Sequence, residues 1–194
     1  VVHCSNTAFD ASTLEVWGAL LNGGRILVVS HEQVLDPVQF GRILREGGAT
    51  VLYLSAGLFN QYADQLSEVF AQLKYLIVGG DVLDANVIRR VLKNGAPQHL
   101  LNGYGPTETT TFATTCWLND LIDEGSQKIP LGRPIGNTQI YILDGQGKPV
   151  PVGVTGEIHI GGDGVALGYL NRPELTAERF IPDLFSDVPD ARMY

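Results

Sequence analysis

At 194 residues, with 44% hydrophobic and 18% charged side chains, the chain is long enough for one domain or two small ones and has the balance of a soluble globular protein. Its net charge of −8 argues against a general nucleic-acid or membrane surface, since neither attracts an acidic protein. No apolar run approaches the ~20 residues of a membrane span, no signal peptide is visible, and Cys4 and Cys116 form no CxxC, so a reduced, cytoplasmic setting is expected.

The first two-thirds of the chain alternates helix and strand signals. Ser12 and Glu15 form an S-x-x-E pattern, which predicts a capping box ahead of an apolar helix over Val16 to Leu21, ended by Gly23-Gly24. Arg25 to Val29 reads as a short buried strand. Asp36-Pro37 offers an N-cap with Pro at the first helical position; Phe40, Ile43 and Leu44 have helical spacing, and Gly47-Gly48 closes the helix. Val51 to Leu54 is the next strand, followed by a helix through Leu58, Tyr62 and Leu66. Tyr75 to Val78 is another strand, ending at Gly79-Gly80, and Val87, Ile88, Val91 and Leu92 mark a helix stopped by Gly95. This alternation predicts a parallel sheet covered by helices.

From about Ser126 the pattern becomes β-rich. Ile140 to Leu143 and the turn Asp144-Gly145-Gln146-Gly147 suggest a hairpin. Glu157 to Ile160 reads as a strand, and a short helix is predicted from Pro173 through Arg179. The fold class is therefore α/β, an α/β lobe over 1–125 followed by a smaller β-rich lobe over 126–194. The four histidines, His3, His31, His99 and His159, lack metal-ligand spacing. The chain opens on Val1 without an initiator Met and stops at Tyr194 without a helix stop or polar tail, so both ends are expected to be cuts through a longer protein.

Asn102-Gly103-Tyr104-Gly105-Pro106-Thr107-Glu108 follows the apolar strand His99 to Leu101, a place where α/β proteins bind ligands. Gly103, Gly105 and Pro106 predict a tight turn that exposes backbone. Tyr104 offers a flat face for a base, Thr107 a hydroxyl for a phosphate, and Glu108 a hard oxygen for Mg²⁺. By composition alone, an ordinary strand-to-loop turn with a half-buried Tyr fits as well.

The order of these residues resembles the signature of the adenylate-forming superfamily. That resemblance implies that Tyr104 stacks on adenine, Asn102 helps hold it, Thr107 contacts the α-phosphate and Glu108 holds Mg²⁺, with Thr107 and Glu108 as the catalytic pair. It also places Gly79, Gly80 and Gly103 at the nucleotide. Phe9-Asp10-Ala11-Ser12 resembles the substrate-pocket motif of the adenylation domains of nonribosomal peptide synthetases. The run from Gly156 to Leu170 resembles their glycine-rich hairpin motif, with Leu167 where Arg is more usual; its glycines are expected to shape a hairpin, with no chemistry assigned.

In peptide-synthetase domains for α-amino acids an Asp at the position of Asp10 pairs with the substrate ammonium. Asp10 could instead cap the following helix, but Ser12 is expected to fill that role, which turns Asp10 toward a pocket. The resemblance adds Ala11, Leu14, Tyr53, Ile77, Gly79, Gly103, Thr111 and Phe112 to the substrate set. These offer no second charge, so a charged substrate side chain would be buried without a partner. The two glycines are expected to leave space between walls of Tyr53, Leu14 and Phe112, a set resembling pockets for valine or another small branched residue.

The implied reaction joins an amino acid to ATP, giving aminoacyl-AMP and pyrophosphate, and then loads a phosphopantetheine thiol on a carrier domain. Adjacent carrier and condensation domains are the implied partners. The family's phosphate loop and its mobile C-terminal lobe with a catalytic Lys are expected outside these residues, so the 194 residues alone are expected to be inactive. The alternatives are an acyl- or aryl-CoA ligase of the same superfamily, or a non-catalytic nucleotide-binding piece.

Overall fold

The computed structural model describes residues 1–120 and 127–194. They fall into two compact units, Val1–Tyr104 with Thr115–Gly132, and Gly105–Thr114 with Arg133–Tyr194. The expected lobe boundary at 125/126 lies outside the described residues.

In the first unit, β1 (Val2–His3) leads to α1 (Ala11–Leu20) and returns as β2 (Leu27–Val28), paired parallel to β1. Then follow α2 (His31–Leu35), α3 (Pro37–Glu46), β3 (Val51–Ser55), α4 (Ala56–Tyr62), α5 (Ser67–Phe70), β4 (Tyr75–Gly79), α6 (Ala85–Gly95), β5 (His99–Tyr104) and β6 (Thr114–Trp117). Strands β3, β4, β5 and β6 lie side by side in that order, and β3, β4 and β5 are parallel. Their even-numbered residues form one face: Leu52, Leu54, Leu76, Val78 and Leu100 are fully buried there. Phe40 and Leu44 of α3, Phe59 of α4, Phe70 of α5 and Ile88 and Val91 of α6 belong to the same core. Each such side chain contributes about 1.5–3 kcal/mol on burial, so this face holds the unit together.

The predicted helix start at Asp36 has a visible cause, and the structure shows a like start at Asp84. Asp36 Oδ1 accepts from the backbone N–H of Val38 and Gln39, and Asp84 from Asn86, satisfying donors that a helix start leaves open. Ser30 forms the capping box that does occur, with Gln33 at the third helical position.

Three sequence expectations need correction. Helix α1 begins at Ala11, not after Ser12, so Ser12 lies inside its first turn and its hydroxyl donates to the Phe9 carbonyl at 2.8 Å. Glu15 does not reach back to cap anything; it is fully buried and faces residues 3–5. Arg25–Val29 yields only the two-residue β2, with Val28 exposed. The helix expected through Leu66 stops at Tyr62, whose hydroxyl is anchored on the Val34 carbonyl at 2.7 Å, and Leu66 instead precedes α5.

The second unit contains a 3₁₀ turn (Thr107–Thr109), β7 (Arg133–Pro134), β8 (Thr138–Leu143), β9 (Glu157–Gly162), α7 (Pro173–Arg179), β10 (Ile181–Pro182) and β11 (Arg192–Met193). Its antiparallel sheet has the order β10-β11-β9-β8. The turn after β8 forms as expected, with Asp144 Oδ1 accepting from Gln146 N–H at 2.8 Å and Lys148 N–H at 3.0 Å. The main strand partner of β8, however, is β9, which supplies residue-for-residue pairing from Leu143↔Glu157 to Thr138↔Gly162. Helix α7 spans the predicted residues, with Pro173 at its start. The architecture is thus α/β, a parallel sheet with flanking helices and a smaller antiparallel sheet. No helix among the described residues is long and apolar enough to cross a membrane.

Candidate functional site

The odd-numbered residues of β3, β4 and β5 form the sheet face opposite the main core. Pairing sets Tyr53 beside Ile77, and Gly79 between Ser55 and Gly103. Four of the sequence-predicted pocket residues, Tyr53, Ile77, Gly79 and Gly103, therefore share one face near the C-terminal strand ends. Helix α1 packs on β1 and β3 and brings Asp10, Ala11 and Leu14 at its start. Burial first, and then the carboxylates of Asp10 and Glu15, push the Tyr53 phenol above its ordinary pKa, so both carboxylates act on this face.

Asp10 occupies the N-cap position of α1 but makes no side-chain cap hydrogen bond. The cap expected of Ser12 does not form either, its hydroxyl donating to the Phe9 carbonyl, so the ground expected for the orientation of Asp10 falls away. Glu15 is the second carboxylate near the face, although its S-x-x-E spacing predicts a capping residue. Its Oε2 accepts from His3 Nδ1 at 2.7 Å, Ser5 N–H at 3.1 Å and Cys4 N–H at 3.3 Å, and its Oε1 accepts from the Ser5 hydroxyl at 2.8 Å. That set satisfies a carboxylate out of water, and it ties the strand β1 exit to the pocket helix.

Gly79 does not open side-chain space in the way expected. A Cβ at Gly79 would overlap the carbonyl oxygen of Gly103 on the neighbouring strand. The bare Cα is needed for two strand ends to approach. Gly79→Val is accordingly predicted to destabilise the fold by at least about 1–3 kcal/mol, the scale of overpacking. Urea unfolding of the two chains checks this, and an unchanged midpoint would contradict it. Gly80 follows with φ of +82°, and a Cβ there would lie 3.3 Å from the Tyr53 hydroxyl.

Asn102 is buried, and its side-chain amide donates to the Pro130 carbonyl at 2.9 Å, which braces the end of β5. Tyr104, the last residue of that strand, is half-buried.

In the second unit, Thr107 and Glu108 begin the 3₁₀ turn, and Thr107 is exposed. Glu108 Oε1 accepts from the Tyr169 hydroxyl at 2.6 Å. Burial pushes the Glu108 carboxyl up, but the Tyr169 bond, its own backbone N–H, the Tyr194 hydroxyl and the nearby Arg179 outweigh it and hold the group below its ordinary pKa. The carboxylate is therefore ionised at neutral pH. An ionised carboxylate suits Mg²⁺, which binds through one or two carboxylates together with nucleotide phosphates. Among the described residues no group of three His, Cys, Asp or Glu side chains could hold a metal by itself.

Thr110 and Thr111 follow with φ of +60° and +67°, a conformation that β-branched residues rarely adopt. Nothing in their residue type announces it. Thr111 and Phe112 lie in this same loop, half-buried. Tyr169 was likewise missed as a neighbour of Glu108, because 61 residues separate the two.

A parallel α/β sheet with glycines at its C-terminal strand ends has the form in which α/β proteins bind ligands. The AMP-binding enzyme family matches residues 1–170, and the chain belongs to it. It is 46% identical over 194 residues to malpibaldin synthetase of Mortierella alpina, covering 100% of this chain and 4% of that protein. A solved NRPS protein containing adenylation and PCP domains superposes with a TM-score of 0.90 at 38% identity, covering 100% of this chain and 39% of that one. The N-terminal subdomain of Klebsiella oxytoca NpsA, in complex with 3-hydroxybenzoyl-AMSN, superposes with a TM-score of 0.89 at 28% identity, covering 100% of this chain and 48% of that one. The chain thus spans about 4% of the length of the curated relative and less than half of either solved chain.

Proposed function

We propose that this chain carries the amino-acid pocket and part of the nucleotide site of a nonribosomal peptide synthetase adenylation domain, acting on valine or another small branched aliphatic amino acid. The observation that carries the reading is the Asp10 carboxylate at the start of α1, acting on a sheet face whose other pocket positions are uncharged. A substrate ammonium finds its partner in Asp10, a charge-assisted contact of the strong kind. Ala11, Leu14 and Ile77 favour an aliphatic side chain, and a charged one would lose its hydration without compensation.

Tyr104 offers its ring to adenine at the end of β5, braced by Asn102. In the second unit, Thr107 offers an exposed hydroxyl to a phosphate, and Glu108 an anionic oxygen to Mg²⁺. Bound Mg²⁺ would supply neutralisation of phosphate charge as aminoacyl-AMP and pyrophosphate form. Loading of a phosphopantetheine thiol on a carrier domain, beside a condensation domain, completes the proposed sequence in a cytoplasmic synthetase. ATP–pyrophosphate exchange by the intact synthetase against a panel of amino, aryl and fatty acids tests this. Valine or isoleucine should lead and Asp, Glu, Lys and Arg should fail; preference for an aryl or fatty acid would replace the reading by a ligase of the same family.

Glu108→Gln keeps the side-chain shape and removes the charge. The adenylation rate at limiting Mg²⁺ is predicted to fall about tenfold or more, on the order of 1.4 kcal/mol, because a neutral amide is a poor ligand for a hard cation. An unchanged rate would show that the metal sits elsewhere.

A further inference from the structure

The glycine-rich stretch has no chemistry in the reading above, yet it holds the Thr107–Glu108 turn at four points. The Ala166 N–H donates to the Glu108 carbonyl at 2.8 Å. The Thr110 hydroxyl donates to the Gly164 carbonyl at 2.8 Å. Gly164 lies so close that a Cβ there would stand 2.7 Å from the Thr109 carbonyl oxygen. Finally, the Tyr169 hydroxyl donates to Glu108 Oε1 at 2.6 Å.

Tyr169 is itself fixed. Its N–H donates to Thr176 Oγ1 at 2.9 Å, and its ring meets Phe180 edge-on at 5.4 Å. The turn it serves contains two threonines with left-handed backbone. Such strained backbone persists only where the surroundings over-determine it, and the stretch 164–169 supplies those surroundings.

We propose that Tyr169 is a positioning residue for cation binding: its hydroxyl occupies Oε1 of Glu108 and, together with the Tyr194 hydroxyl that acts on the same carboxylate, fixes its rotation for Mg²⁺. This rests on the reading of Glu108 as the Mg²⁺ ligand. The phenol orients without cancelling charge, which an Arg in its place would do. Orientation matters here because no group of three His, Cys, Asp or Glu side chains among the described residues could hold the cation by itself. A cation held by one carboxylate and nucleotide phosphates gains from a ligand that needs no rotational ordering.

The test uses the intact synthetase with Mn²⁺ as the probe, its binding read by water-proton relaxation in the presence of a non-hydrolysable ATP analogue. Tyr169→Phe is expected to weaken Mn²⁺ binding about tenfold to a hundredfold, the range for removing a partner that orients a metal ligand. In exchange assays the half-saturating Mg²⁺ concentration should rise in step, with kcat at saturating Mg²⁺ nearly kept. Gly164→Ala, which presses on the Thr109 carbonyl while leaving Tyr169 in place, should also weaken Mn²⁺ binding. Tyr141→Phe, which removes a hydroxyl bonded to Asp183 at 3.2 Å in the same unit, should not. Wild-type Mn²⁺ affinity in Tyr169→Phe, or tighter binding, overturns the proposal alone. Loss of kcat at saturating metal without any change in Mn²⁺ affinity also overturns it. Wild-type protein whose Mn²⁺ binding is indifferent to Glu108→Gln overturns it together with the metal assignment of Glu108.

Discussion

Glu15→Ala is expected to cost the chain about 3–5 kcal/mol of stability, the scale for leaving a buried charged or polar group without its partner. The substitution removes one carboxylate and orphans the imidazole of His3, the N–H groups of Cys4 and Ser5, and the Ser5 hydroxyl together. A domain with a total stability of about 5–15 kcal/mol loses a large share of it. Glu15→Gln, which keeps an acceptor oxygen, should lose less. Urea denaturation reads both. A second readout is the Cys4 thiol, pushed up to about 12 by burial, by the Glu15 charge and by its hydrogen bond to Glu15. A thiol held that high stays protonated at neutral pH and reacts slowly with alkylating reagents. Removing the carboxylate removes two of the three causes, so the Cys4 pKa should fall and alkylation should quicken. A loss under about 1 kcal/mol, with thiol reactivity unchanged, would mean that loop 3–5 is held by something else.

This site also shows what the sequence could and could not disclose. S-x-x-E reads as a capping box from local spacing alone, because the spacing is the same whether Glu15 bends toward the backbone or into the protein. What turns it inward is a loop ten to twelve residues earlier that offers five donors at once. The same limit hid Tyr169 from Glu108. By contrast, Asp36-Pro37, the strands β3 to β5 and helix α7 were legible, since a cap, a short apolar run and an N-terminal Pro act on neighbouring residues. The turn at Thr107–Thr109 was legible as a turn for a different reason: Gly105 and Pro106 stand directly before it. Gly79 stands between these cases. Its lack of a side chain was plain, but a missing Cβ can make room for a ligand or for another backbone, and only the pairing with Gly103 separates the two.

Asp10→Ala should abolish activation of α-amino acids by the intact synthetase. The variant leaves the substrate ammonium against the pocket face without a counter-charge, and the expected loss in kcat/KM corresponds to about 3–5 kcal/mol. Asp10 contributes no side-chain cap bond to α1, and urea denaturation of the variant reads any effect on the fold separately from activation. That separates it from Glu15, whose loss should appear first in stability. Asp10→Asn sharpens the test, since it keeps shape and hydrogen bonding while removing the charge. If the ammonium is recognised as a cation, Asn should restore little. The Tyr53 phenol provides a check that does not depend on turnover. Burial and the Asp10 and Glu15 carboxylates hold its pKa up, so removing the Asp10 charge should lower it in a spectroscopic titration of the phenol. A lowered Tyr53 pKa with valine activation intact would place Asp10 at the face but not on the substrate, and would turn the search toward acids that carry no ammonium.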